Sequence, residues 1–219
     1  MDAAEERARL VKALQGEGYL RDPRVAEAML RVPREHFLRE ERDEAYRDTP
    51  LPIGSGQTIS APHMVAMMTE ALDLGPGMRV LEVGTGSGYH AAVVAEVLGP
   101  SGKVFSVERV PELAERARAS LASAGYPAGR VEVVVGDGSL GWPAEAPYDR
   151  AYVTCAAPSL PAAILGQLRP DGLLLAPVGD RLLQHLILAR VGQGGVETKD
   201  LGRCVFVPLV GAHGFPGEA

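Results

Sequence analysis

The sequence predicts an α/β chain built on a mostly parallel, doubly wound sheet, and three observations carry that expectation. From Val80 onward, apolar strand-like runs alternate with stretches at helical spacing. The first of those runs ends in closely spaced glycines, Gly84, Gly86 and Gly88, and opens directly into the helical run Ala91 to Leu98. The last two apolar runs, Leu183 to Val191 and Arg203 to Val210, are joined through Gly192 to Gly195. Repeated βα units imply parallel strands with a ligand at their carboxyl ends. A glycine turn between the last two strands implies a C-terminal antiparallel hairpin at the sheet edge.

Taken in order, Ala3 to Leu14 places Ala8, Leu10, Val11 and Leu14 on one helical face, ended near Gly16 and Gly18. Asp22-Pro23 reads as an N-cap with proline at the first helical position, leading Val25, Ala26, Met29 and Leu30 into a second short helix. Together they form an N-terminal helical cap. Pro33 interrupts the pattern, and His36 reads as a surface or helix-end histidine rather than a base. Ala45 to Met64, rich in proline, glycine and hydroxyl residues, fits neither regular element and is long for a mere connection. Such a loop is a candidate functional segment. Ser60 is placed to cap a helix starting near Pro62, and capping is weighed evenly against a role in the site. Met64 to Leu74 continues as helix before Gly75-Pro76-Gly77 turns into the first strand. Downstream strands are expected at Arg130 to Val135, Arg150 to Cys155 and Leu173 to Val178, with Leu160 to Leu168 helical. Residues 1–74 are expected to form the cap and the substrate and cofactor loop, packed on a ligand-binding core at 75–219.

Val80-Leu81-Glu82-Val83-Gly84-Thr85-Gly86-Ser87-Gly88-Tyr89 is the chemical centre of the chain. Glycines let the backbone turn sharply and bring main-chain N–H groups against a ligand at a helix N-terminus. Ser106-Val107-Glu108 ends the next apolar run near the spacing of roughly 20 residues at which such folds set an acid on ribose hydroxyls. Alone, the glycine run is also compatible with an ordinary tight turn. Glu82 and Glu108 add two carboxylates to the same crevice, and Gly-x-Gly-x-Gly departs from the Gly-x-Gly-x-x-Gly that suits a pyrophosphate. A nucleoside carrying an ammonium or a sulfonium fits better than a phosphate, and S-adenosylmethionine carries both. S-adenosylmethionine is therefore the expected ligand of this α/β core. Asp137 at the next strand end can accept from the adenine amino group while Gly138 lets the backbone approach the ring; an Asp-Gly turn is the plainer alternative.

The chain has 219 residues and a net charge of −6, with dispersed acids and no basic stripe, so duplex nucleic acid is not an expected partner. No apolar run is long enough to span a membrane, and the opening Met-Asp-Ala-Ala-Glu-Glu lacks the character of a signal peptide. A cytoplasmic, monomeric protein is expected. Cys155 and Cys204 sit in apolar runs and match no metal-ligand spacing, so buried free thiols and no metal site are expected.

Several stretches together resemble the protein-L-isoaspartate O-methyltransferase family. They are Tyr46-x-Asp48-x-Pro50, Ile53-Gly54, Gln57-Thr58-Ile59-Ser60-Ala61-Pro62-His63-Met64, Val80 to Tyr89, Val135 to Gly138, Ala146 to Asp149, Ala156 to Pro158 and Leu168 to Gly172. The loop before Met64 is the specific part; the glycine-rich strand end is shared with many methyltransferases. The resemblance implies a Rossmann-like S-adenosylmethionine-dependent methyltransferase fold, with Ser60 as the active-site residue and Thr58, Ser60 and His63 on the substrate. It implies Thr58, His63, Glu82, Gly84, Thr85, Gly86, Ser87, Gly88, Glu108, Arg109, Asp137 and Gly138 on S-adenosylmethionine, leaving S-adenosylhomocysteine as product. The implied substrate is an L-isoaspartyl residue in a damaged peptide or protein, whose methyl ester then closes to a succinimide.

Other classes fit less well. Amino-directed nucleic-acid methyltransferases carry an Asn/Asp-Pro-Pro-aromatic run where this chain has Thr154-Cys155-Ala156-Ala157-Pro158. Another small-molecule methyltransferase or a non-catalytic adenosyl-binding module has no reason to keep the Gln57 to Met64 loop. A nicotinamide oxidoreductase is disfavoured by the glycine spacing.

Overall fold

The structure, a computed structural model, describes residues 2–217. Two helices open it, α1 (Ala3–Gly16) and α2 (Pro23–Arg31). Both start as the sequence predicts: the Asp22 carboxylate accepts the Arg24 N–H at 2.8 Å with Pro23 at the first helical position. Leu10, Val11 and Leu14 of α1 and Val25, Ala26 and Met29 of α2 are buried. A 3-10 turn, Arg34–Phe37, follows the interrupting proline, with His36 exposed.

The stretch expected to be irregular contains a small antiparallel hairpin, β1 (Leu51–Gly54) and β2 (Gln57–Ile59), where Gly54 pairs with Gln57 around Ser55 and Gly56. The apolar pattern is too short to announce it. Left-handed Gly54, Ser55 and Gly56 make the turn, and Leu51 and Ile59 anchor its two ends in the core. Helix α3 (Pro62–Ala71) begins directly after it. Its N-cap residue is Ala61 and no side chain caps it, so Ser60 is not a helix cap.

The main sheet has seven strands. They are β3 (Arg79–Val83), β4 (Lys103–Glu108), β5 (Val131–Val135), β6 (Tyr148–Val153), β7 (Leu168–Gly179), β8 (Gln184–Gly192) and β9 (Gly195–Cys204), in the spatial order β5-β4-β3-β6-β7-β8-β9. The strands from β5 to β7 are parallel, and β8 and β9 turn back antiparallel. Strand order reverses at β3, which places the ligand crevice at its carboxyl end. Apolar side chains of β3 are buried on both faces: Val80 joins the cluster shared with α1, α2, α3 and α4 (Tyr89–Leu98), Leu81 and Val83 the cluster shared with β6 and β7. Burial on both sides explains the near-continuous apolar strands.

Three elements differ from expectation. Helix α5 (Pro111–Ser123) has no counterpart in the sequence pattern, because two alanines, Ala114 and Ala117, make up half of its buried stripe beside Leu113 and Leu121. The helix expected over 160–168 shrinks to one turn, α6 (Ala162–Leu165). The edge hairpin is present, yet its second strand is 195–204 rather than 203–210. Gly192 pairs with Gly195, so the strand restarts at once, and its residues are mostly exposed and polar. The apolar run after Cys204 leaves the sheet: Ala156 N–H donates to the Val207 carbonyl and Leu209 N–H to the Ala156 carbonyl, both at 2.8 Å. That departure places the segment over the crevice.

Candidate active site

Helix α4 (Tyr89–Leu98) starts from the glycine loop that ends β3. Gly84 sits at φ 95, and a Cβ there would lie 2.3 Å from Thr154 Oγ1. Thr154 in turn donates to the Gly84 carbonyl at 2.6 Å, so the loop is locked against the end of β6. The loop frames a cleft with about 930 Å³ of space, its solvent-open mouth included. Of the residues expected in the site, Thr58, Ser60, Glu82, Gly84, Thr85, Gly86, Ser87, Glu108, Arg109 and Gly138 line this cleft.

Glu108 ends β4 with its carboxylate braced on the loop. Oε2 accepts the Gly86 N–H and Oε1 the Val110 N–H, each at 2.9 Å, and the residue is 6% exposed. Further lone pairs remain for ribose hydroxyls. Glu82 is fully buried between its two register partners, Ser106 on β4 and Tyr152 on β6, and bonds to both. The Tyr152 hydroxyl donates to Oε1 at 2.8 Å, and Ser106 Oγ shares a 2.5 Å hydrogen bond with Thr85 Oγ1. Burial pushes the Glu82 carboxyl up to about 8 against the pull of these partners. At neutral pH Glu82 is therefore a neutral acid. His90, also in the wall, is held neutral because burial lowers it to about 3; its Nε2 meets Thr69 Oγ1 at 3.0 Å.

Three expected residues, His63, Asp137 and Gly88, stand outside the lining. His63 faces Asp48, with Nδ1 2.9 Å from both carboxylate oxygens and its ring 5.2 Å from that of Tyr19. Asp137 uses both oxygens in the chain: Oδ1 accepts the Ser139 N–H and hydroxyl at 2.9 and 2.6 Å, and Oδ2 the Ala212 N–H at 2.7 Å. Burial pushes this carboxyl up, but those bonds outweigh it and hold it below its usual range. It latches the C-terminal segment beside the cleft. Gly88 is the left-handed N-cap of α4, packed on Leu121 and Ala117.

The sequence pattern missed the segment Val207, Pro208, Leu209 and Val210, which forms the other wall together with Thr154 and Cys155. The segment's detachment from the sheet has no local signature, since an apolar run reads equally as strand. Cys155 and Cys204 are free and buried, and burial raises both thiols, Cys204 to about 11, so neither is a ready nucleophile.

Hydroxyls, the Glu108 carboxylate and a close-approaching glycine backbone suit a ribose and an amino-acid tail. Arg109 is the one basic side chain among the lining residues apart from neutral His90, which is poor provision for phosphate. Fold and cleft together define an S-adenosylmethionine-dependent methyltransferase. The sequence model of Protein-L-isoaspartate(D-aspartate) O-methyltransferase matches residues 5–214. The chain belongs to that family. It is 58% identical to the protein-L-isoaspartate O-methyltransferase of Hyperthermus butylicus, over 96% of this chain and 91% of that one. It is 57% identical to the Methanopyrus kandleri protein of the same name, over 95% and 93%. A solved protein-L-isoaspartate O-methyltransferase superposes with a TM-score of 0.86 at 31% identity, covering 95% of this chain and 67% of that one. A Plasmodium falciparum structure described as a putative member in complex with S-adenosyl-L-homocysteine gives 0.81 at 26% identity, over 93% and 98%.

Proposed function

We propose that the cleft aligns S-adenosylmethionine with the α-carboxylate of L-isoaspartyl residues in peptides and damaged proteins. The observation that carries this is the hairpin: Thr58 and Ser60, two apart and so on one side of the extended chain, line the same cleft as the glycine loop and Glu108. When bound, S-adenosylmethionine supplies an electrophilic methyl carbon; a carboxylate oxygen bonds to it as the carbon–sulfur electrons stay on sulfur.

A carboxylate is ionised at pH 7, so the protein needs no general base. Its task is alignment and exclusion of water, and good alignment is worth about 7 kcal/mol or more. Hydroxyls at Thr58 and Ser60 hold the acceptor oxygens by single hydrogen bonds and leave their nucleophilicity largely intact. Ser60 Oγ makes no hydrogen bond among the described residues, which leaves it available. Glu108 holds the ribose, Gly84 to Ser87 the amino-acid tail, and Gly138 the adenine edge. Asp137 acts beside them by fixing the 137–139 turn, and His63 by fixing the entry to α3. Residues 1–74 serve as the cap that carries the substrate wall on the core. A monomer in the cytoplasm belongs to the same proposal; among the described residues no helix is long and apolar enough to cross a membrane.

Incubation with labelled S-adenosylmethionine and matched aspartyl and isoaspartyl peptides tests the proposal. Label is expected on the isoaspartyl peptide alone. Equal labelling of both, or of neither, refutes it.

A further inference from the structure

Arg34 is completely buried, yet among the described residues it meets no carboxylate. Its Nη1 donates to the Ser60 carbonyl at 2.8 Å and its Nη2 to the Thr49 carbonyl at 3.3 Å, while its Nε has no partner among the described residues. The guanidinium also lies over the Tyr89 ring, 5.2 Å from its centroid. Thr49 precedes β1, Ser60 follows β2, and Tyr89 is the first residue of α4 after the glycine loop. One planar group thus touches both ends of the hairpin and the exit of the glycine loop.

A merely structural account of this residue is weak. Burying a charge without an opposite partner is costly, and apolar side chains of similar volume often fill such a place as well or better. The carboxylate whose charge acts on it, Asp48, is engaged with His63. Burial lowers the guanidinium to about 10, which leaves it cationic at neutral pH. An unpaired cation behind the Ser60 backbone has one natural complement, an anion bound on the other side of Ser60. Its planar fork also matters, because an ammonium cannot span two carbonyls in the same way.

We propose that Arg34 is the positioning residue of the site, fixing the Thr58–Ser60 wall relative to the glycine loop and giving that wall its preference for an anionic acceptor. This rests on the hairpin being the substrate wall, and it adds a residue that touches neither reactant.

The test uses the S-adenosylhomocysteine-loaded protein and two peptides, one isoaspartyl and one with its α-carboxylate replaced by carboxamide. Calorimetry gives the ratio of their affinities, together with the affinity for S-adenosylhomocysteine. Arg34→Gln is expected to lower the carboxylate-over-carboxamide ratio by roughly tenfold, the scale of a charge-assisted interaction, with cofactor affinity near wild type. Arg34→Lys is expected to keep most of the ratio and to lower turnover, because charge survives but the bridge does not. An unchanged ratio in Arg34→Gln overturns the proposal. If Arg34→Gln does not fold, Arg34→Lys with wild-type turnover and peptide KM overturns it. Failure of the wild type to methylate the isoaspartyl peptide sinks the functional proposal instead.

Discussion

The N–H of Gly86 donates to Oε2 of Glu108 at 2.9 Å, so the acid at the end of β4 holds the glycine loop as well as facing the cleft. Glu108→Ala therefore removes two things at once. Hydrogen bonds to charged groups are worth about 1.5–3 kcal/mol, so affinity for S-adenosylhomocysteine is expected to fall roughly tenfold or more. A lowered melting temperature should accompany it, since the Gly86 and Val110 N–H groups lose their acceptor. Calorimetry and a thermal melt on one preparation check both; normal cofactor affinity would remove Glu108 from the site.

Gly84→Ala tests the lock between loop and sheet. The new Cβ would arrive 2.3 Å from Thr154 Oγ1, at a φ of 95 that side chains avoid. Either the loop or Thr154 has to move, and cofactor binding is expected to be lost along with some stability. A variant folded by circular dichroism that still binds S-adenosylhomocysteine as tightly as wild type would contradict this.

Ser60→Ala separates substrate alignment from folding. The serine caps no helix, and its hydroxyl has no hydrogen bond among the described residues, so the stability change should stay within about 0.5 kcal/mol, as at other undemanding sites. Turnover at saturating isoaspartyl peptide is expected to drop while cofactor affinity holds. Full turnover would leave Ser60 without a role in the chemistry.

Glu82 makes stability depend on pH. Its folded value, raised by burial to about 8, lies above the ordinary 4.5, so the folded state keeps a proton that the unfolded state gives up. Stability from this group is full below about pH 4.5 and declines as pH rises toward 8, a tenfold difference in proton affinity being worth about 1.4 kcal/mol. Glu82→Gln, which mimics the neutral acid, should therefore gain on wild type between pH 5 and pH 8 by about 1 kcal/mol or more. Denaturant melts at the two values read it directly; a difference independent of pH would show that Glu82 is ionised in the fold.

The sequence by itself determined the fold class, the glycine loop, the acid at the end of β4 and the hydroxyls before Pro62. Those features are local: glycine spacing, strand-ending carboxylates and a proline-bounded loop are written in consecutive residues. Tertiary structure alone decided what touches what. Strand register placed Ser106 and Tyr152 on either side of Glu82, closing a network that turns an expected crevice carboxylate into a buried neutral acid. Detachment of residues 205–210 from the sheet made the far wall of the cleft, although the same apolar run reads as strand. Arg34, 26 positions from Ser60, holds that residue's carbonyl from a turn that carries no motif. Contacts of this kind depend on long-range packing and burial, and neither propensity nor spacing along the chain encodes which distant group will supply a buried partner.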